Sequence, residues 1–159
     1  MSFSRDGYVL MPGEGDALWF LDTLVTIKAG GEQTDGAFTV LEQRAPGGFG
    51  PPPHVHHHED EAFYVLEGSL RVTCGDRSWT AGSGAFIFLP RGIVHRFEVT
   101  EAAPARLLQI TSPAGFERFA GEIGSPAQSL ELPLPSAPDI PRLLESARRH
   151  GYEIVGPER

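Results

Sequence analysis

The chain has 159 residues, 40% of them apolar and 9% aromatic, which suits one domain with its own core and argues against disorder throughout. With 13 basic and 21 acidic residues the formal net charge is -8, which argues against nucleic acid as the main partner, because phosphate binding calls for an excess of cations. A single cysteine, Cys74, leaves no intramolecular disulfide and fits a reducing cytoplasm. The opening residues show no basic stretch followed by a long apolar one, and no run of about 18 apolar residues follows. The expectation is a cytoplasmic protein with no membrane partner.

Glycine (19) and proline (14) are abundant, which favours short strands and tight turns over a helical bundle. Residues 1–23 read as an irregular arm with a short strand at Tyr8 to Met11, followed by the strand "LVTIKAGG" ending in a Gly-Gly turn. "GAFTVLEQRAP" is the next strand, and the prolines of "PPPHVHHH" favour an extended backbone. "EAFYVLEG" is a strand stopped by Gly68, and "SLRVTCGDRSWTAGSG" a hairpin turning at Gly75-Asp76. "AFIFL", "IVHRFEV" and "ARLLQIT" complete about eight strands between Leu24 and Thr111. With no room for crossover helices, the pattern is all-β: a closed or nearly closed antiparallel barrel or sandwich.

After Pro113 the character changes. Phe116, Phe119 and Ile123 recur at helical spacing, with Gly124 as a stop. After a turn-rich connector, "DIPRLLESARRHGYEI" reads as a second helix. Asp139 caps it, Pro141 lies in its first turn, Arg148, Arg149 and His150 lie in its last turn, and Gly151 ends it. The whole is one domain, 1–159: an arm to residue 23, a barrel over 24–111 and a helical extension over 112–159.

Four of the six histidines fall within "HVHHH", residues 54–58. A tag, a solvated loop and a metal site all accommodate such a cluster, although tags usually sit at termini. His54, His56 and His58 share one parity, so two or three of them face the same way on an extended chain. Glu61 opens the next strand, where Glu61, Phe63 and Val65 face one side and Ala62, Tyr64 and Leu66 the other. Both sides are largely apolar, which suits a strand covered on both, one cover being a partner subunit. His95 shares an apolar face with Phe97 and Val99, an odd choice for a simple core. Imidazole and carboxylate together suit Mn, Fe, Ni, Co or Zn, and spacing alone does not choose among them.

These residues resemble the cupin superfamily of metal-binding β-barrels. Gly48, His54, His56, Glu61 and Gly68 stand at the spacings of its first motif, and Gly84, Pro90, Gly92 and His95 at those of its second. Val99 stands where that motif ends in Asn, a position that is not a metal ligand in the family. The resemblance covers roughly residues 40 to 110. It implies a jelly-roll barrel holding one divalent transition metal on His54, His56, Glu61 and His95, with His57 and His58 surplus and His58 an alternative ligand. A looser resemblance of strand and turn pattern extends to single-domain bacterial cupins of the quercetinase (flavonol dioxygenase) type. It implies an enzyme that opens a flavonol-like or related enolisable aromatic with dioxygen, Glu61 serving as both ligand and base. The alternative is a non-oxidative cupin, either an isomerase or a small-molecule-binding protein.

Phe63, Phe86, Phe88 and Phe97 flank these ligands on strands and are expected to line a substrate pocket, though a barrel core needs large side chains in any case. Trp19 and Phe20 cover the barrel mouth, pack the arm or join a dimer interface. Phe116 and Phe119 pack their helix. Cys74 has no base partner and reads as structural. The two-sided strand 61–66 and the aromatic arm lead to the expectation of a homodimer.

Overall fold

Alternation of buried and half-buried residues runs along the strands that build the molecule. In the segment Thr39–Ala45 the side chains of Thr39, Leu41, Gln43 and Ala45 are buried and those between are not; in Ala105–Ser112 the same holds for Ala105, Leu107, Gln109 and Thr111. A period of two is what a strand with one face on a core requires. The computed structural model describes residues 6–156. Its strands are β1 (Asp16–Phe20), β2 (Thr23–Ala29), β3 (Thr39–Ala45), β4 (His54–His56), β5 (Asp60–Glu67), β6 (Ser69–Cys74), β7 (Arg77–Gly82), β8 (Phe86–Leu89), β9 (His95–Val99), β10 (Ala105–Ser112), β11 (Ser125–Pro126) and β12 (Tyr152–Ile154). Its helices are α1 (Gly31–Thr34), α2 (Phe116–Ile123) and α3 (Ile140–Arg149).

Two antiparallel sheets result. One runs β11-β1-β2-β3-β10-β5-β8 and the other β12-β4-β9-β6-β7. Between them lies a core of Phe63, Val65, Leu70, Val72, Leu89, Phe97, Val99 and Leu107. A second cluster, with Phe20, Val25, Leu41, Phe116, Phe119, Leu143 and Tyr152, packs the two longer helices and the last strand against the first strands. Each such side chain contributes roughly 1.5–3 kcal/mol by leaving water.

The β6–β7 hairpin turns at Gly75-Asp76, as expected, with Cys74 opposite Arg77. Gly75 takes φ +59, the left-handed value that a two-residue turn needs at its first central position. Asp139 caps α3 by accepting from the Arg142 N–H at 3.1 Å. Gly151, at φ +83, then reverses the chain.

Four features depart from the sequence expectation. Tyr8 to Met11 is not a strand; Tyr8 instead donates its hydroxyl to the Lys28 carbonyl at 2.6 Å. The arm holds β1, whose short length and single turn residue pair hid it. Gly31 begins the one-turn α1 rather than closing a Gly-Gly turn. Gly151 ends the helix as expected, but the residues after it form a strand that was not anticipated: β12 pairs with β4, Tyr152 opposite His56. The β1–β2 hairpin turns through Leu21 (φ 46) and Asp22 (φ 64), left-handed positions that cost on the order of 1–3 kcal/mol each for residues with a Cβ.

Glu117 pins α2 to the sheet. Its carboxylate accepts from the N–H of Gly31 at 2.9 Å, from the N–H of Gly115 at 3.0 Å and from the Thr39 hydroxyl. Burial opposes its ionisation, but the Thr39 and Gly31 hydrogen bonds outweigh that and hold the carboxyl below its ordinary value. Replacing Glu117 by Ala strands these donors and is expected to cost about 2–3 kcal/mol at neutral pH, read by urea denaturation. Because the folded-state pKa is depressed, this stabilisation is present above the unfolded pKa and is lost as pH falls through the folded one. The gap between wild type and Glu117→Gln should therefore narrow on acidification through the carboxylate range.

Candidate metal centre

Three prolines, Pro51 to Pro53, lead into the extended β4, and the period of two sends His54 and His56 to one face. β4 pairs with β9 in the register that sets His54 opposite His95. Glu61 arrives from the other sheet, at the start of β5, opposite Thr111 of β10 and Leu89 of β8. The cluster therefore bridges the two sheets, and one donor atom from each of His54, His56, Glu61 and His95 lies within 4.8 Å of the others. His56, Glu61 and His95 are 2%, 4% and 2% exposed, so their charges are not held by water.

The rings are fixed from behind. His54 Nδ1–H donates to the Pro52 carbonyl at 2.8 Å, and His95 Nδ1–H to the Ile93 carbonyl at 3.1 Å. His56 Nδ1–H donates to Glu59 Oε1 at 3.0 Å, and that oxygen also accepts from the Tyr152 hydroxyl at 2.8 Å. Carbonyls only accept, so Nδ1 of His54 and of His95 carries a proton and their Nε2 atoms point away from the backbone. Outer hydrogen bonds of this kind orient imidazole ligands toward a metal.

Yet His95 Nε2 lies 2.9 Å from Glu61 Oε2, with His56 Nε2 at 3.6 Å from the same oxygen. A contact that short requires positive charge between the two groups, either a second proton on the His95 ring or a metal cation. Three imidazoles and one carboxylate form a donor set that borderline divalent transition metals accept. The residues present thus fit a metal ion. The electrostatics agree. Burial, then the neighbouring His95, pushes His54 down to about 4, leaving it a neutral ligand. Burial opposes a charge on Glu61, but His56, His95 and His54 together outweigh it and hold the carboxyl at about 2. Gln109 Nε2 donates to the other oxygen of Glu61 at 2.8 Å and fixes the carboxylate plane.

The cluster opens onto a cavity of about 90 Å³. Phe63 and Phe97 line it. Phe86 and Phe88 do not: they are 66% and 57% exposed on the outer face of β8. The register sets Phe86 opposite Tyr64 and Phe88 opposite Ala62, the outward side of β5, so Ile87 and Leu89 point inward in their place. Phe20, Phe116, Phe119 and Tyr152 supply further aromatic wall. His58 stands outside the cluster and is exposed, while exposed His57 meets Glu153 at 2.9 Å.

Sequence reasoning missed Gln43, Gln109, Glu59 and Tyr152. Gln43 and Gln109 carried a signal: each is an amide at an inward position of an otherwise apolar strand face. Tyr152 carried none, because its place beside His56 depends on the pairing of segments about a hundred residues apart.

The chain matches the cupin domain family over residues 40–111. Residues 40–111 carry a cupin domain. Over 94% of its length the chain is 29% identical to the quercetin 2,3-dioxygenase of Bacillus subtilis, of which it spans 44%. In fold it is similar to an RmlC-like cupin from Shewanella frigidimarina, at 15% identity and TM-score 0.59 over 72% of this chain and 99% of that one. It is similar also to the cupin domain of Schizosaccharomyces pombe Cnp3, at 19% identity and TM-score 0.57 over 71% and 77%. The barrel class expected from the strand pattern is therefore the one present, a cupin barrel with short C-terminal helices.

Removing a ligand should lower both metal occupancy and stability, since the ion binds the folded site alone. His95→Ala is expected to lose most bound cobalt by elemental analysis and to lower Tm in the metal-loaded form only. Tyr152→Phe keeps the ring but removes the bond to Glu59; it is expected to weaken cobalt affinity about tenfold, the lower end of what outer hydrogen-bond partners contribute.

Proposed function

We propose that the protein is a metal-dependent dioxygenase acting on a flavonol-like or related enolisable aromatic. The observation that carries this is the convergence of His54, His56, Glu61 and His95 on a cavity walled by seven phenylalanine and tyrosine rings. The identity with a quercetin 2,3-dioxygenase along nearly the whole chain supports it. Among the described residues the cavity lining contains no lysine or arginine, which suits an uncharged substrate.

A divalent ion held by the three imidazoles and Glu61 would supply Lewis acidity toward an enolisable hydroxyl and a point of approach for dioxygen. The chain's own groups do the rest. Glu61 accepts the hydroxyl proton at Oε2, while the Gln109 N–H holds Oε1 and keeps the carboxylate from rotating. Pro52, Ile93 and Glu59 keep Nδ1 of the three histidines occupied and so direct Nε2 to the centre. Phe63, Phe97, Phe116 and Tyr152 exclude water and offer ring faces to a planar substrate.

The same proposal takes the protein to be a homodimer. The exposed stripe of Tyr64, Phe86 and Phe88 on the edge of the seven-stranded sheet supports this, because such aromatics on an open edge are ordinarily covered. Sedimentation equilibrium at micromolar concentration is expected to give a dimer that Phe86→Asp dissociates; a monomer throughout would reject it.

For the activity, the protein is loaded separately with Mn, Fe, Co and Ni and given quercetin in air. Oxygen uptake and loss of the flavonol absorbance are expected with at least one metal. At matched metal content, Glu61→Gln should lower kcat by about 10²-fold or more, the contribution of a positioned base. No turnover with any metal would reject the dioxygenase and leave a non-oxidative role, either isomerase or small-molecule binding.

A further inference from the structure

The cavity beside the histidines, about 90 Å³, is too small for a substrate of two or three rings. Sites for such molecules occupy about 300–1,000 Å³. A second chamber, about 730 Å³, has that size. It lies between the barrel mouth and the connector that leads into α3, with Trp19, Ile123, Leu134 and Ile140 among its walls. The two chambers share Leu21, Phe49, Pro51, Pro52 and Leu143, so they are neighbours across one apolar neck.

Three observations mark this neck and chamber as built. Leu21, a bulky residue, is held at φ 46 in the hairpin turn, where glycine or asparagine is the ordinary choice, and its side chain borders both chambers. The connector is tied down over the chamber: Trp19 Nε1–H donates to the Glu131 carbonyl at 3.0 Å, and the Ser136 N–H donates to Asp22 Oδ1 at 3.0 Å. Leu134 and Ile140 nevertheless leave 88% and 51% of their surface exposed on the chamber, apolar area with no cover from the chain itself. The polar side chains there are Asp22, Asp139, Ser125, Ser136 and Arg142, which commits one N–H to the Glu122 carbonyl at 2.6 Å.

We infer that this outer chamber seats the distal ring of an uncharged, hydroxylated multi-ring aromatic whose enolisable end reaches through the Leu21–Phe49–Leu143 neck to the histidine cluster. The inference rests on the dioxygenase proposal for the class of substrate. Apolar walls hold the ring, and Asp22 and Asp139 accept from its hydroxyl groups. The neck opens by movement of Leu143 and Leu21.

Trp19 reports on the chamber. Trp79→Phe, a change at an exposed residue of β7, leaves Trp19 as the one tryptophan of the two. In this background the zinc-loaded protein is titrated without oxygen with quercetin, and separately with maltol, a one-ring hydroxypyrone carrying the chelating end alone. Quercetin should quench Trp19. Leu134→Asp and Ile140→Asp, both at exposed positions outside the core, should each weaken quercetin binding about tenfold and leave maltol binding and zinc content unchanged. Quercetin binding that ignores both substitutions, equal loss for both ligands, or no quercetin binding at all would overturn the inference. The two proposals separate cleanly. Chamber-sensitive binding without oxygen uptake by any metal form keeps the chamber and removes the dioxygenase. Oxygen uptake with substitution-insensitive binding does the reverse.

Discussion

The rest of the site depends on one buried contact between an imidazole and a carboxylate. His95 Nε2 and Glu61 Oε2 stand 2.9 Å apart, deep in the protein, with the ring proton of His95 committed to the Ile93 carbonyl. Among the described residues the ion-pair partners of Glu61 are His56 and His95 alone, so no lysine or arginine neutralises it. A buried carboxylate in that position is costly without a cation. A divalent ion at that point would supply the positive charge and take one donor from each of the four residues.

The fold exists in a form that makes this meeting possible. Glu61 belongs to one sheet and the three histidines to the other, so the site closes only when the sheets face each other. Phe63 and Phe97, packed edge to face with ring centroids 5.4 Å apart, set that spacing directly beside the cluster. The last strand completes it. β12 adds to the edge of β4 and delivers Tyr152 to Glu59, which in turn holds His56. The C-terminal segment is thus joined mechanically to a ligand strand, although it lies outside the residues that match the cupin family.

What the sequence made legible follows from range. His54 and His56 are legible because two residues apart on an extended chain is a local fact, and Glu61 and His95 because their spacing to glycine and proline turns is a family pattern. Asp139 and Gly151 are legible as helix ends because caps are local chemistry. Phe86 and Phe88 misled because their face depends on register with β5: alternation says that they share a side, not which side. β1 and β12 were hidden for a related reason, since a strand of three to five residues draws its stability from the neighbour it pairs with. Gln43 and Gln109 lay between these cases, visible as polar residues on apolar faces but uninterpretable until their partners, Thr23 and Glu61, were in place.

If the buried cluster holds a transition metal through imidazole nitrogen and one carboxylate, X-ray absorption at the metal edge of the cobalt-loaded protein will show it. The expected first shell is nitrogen and oxygen near 2.0–2.2 Å, with the outer scattering of three imidazole rings, falling to one ring in the protein with His54 and His56 both replaced by alanine. A shell of oxygen alone, or a spectrum unchanged by that double replacement, would contradict it.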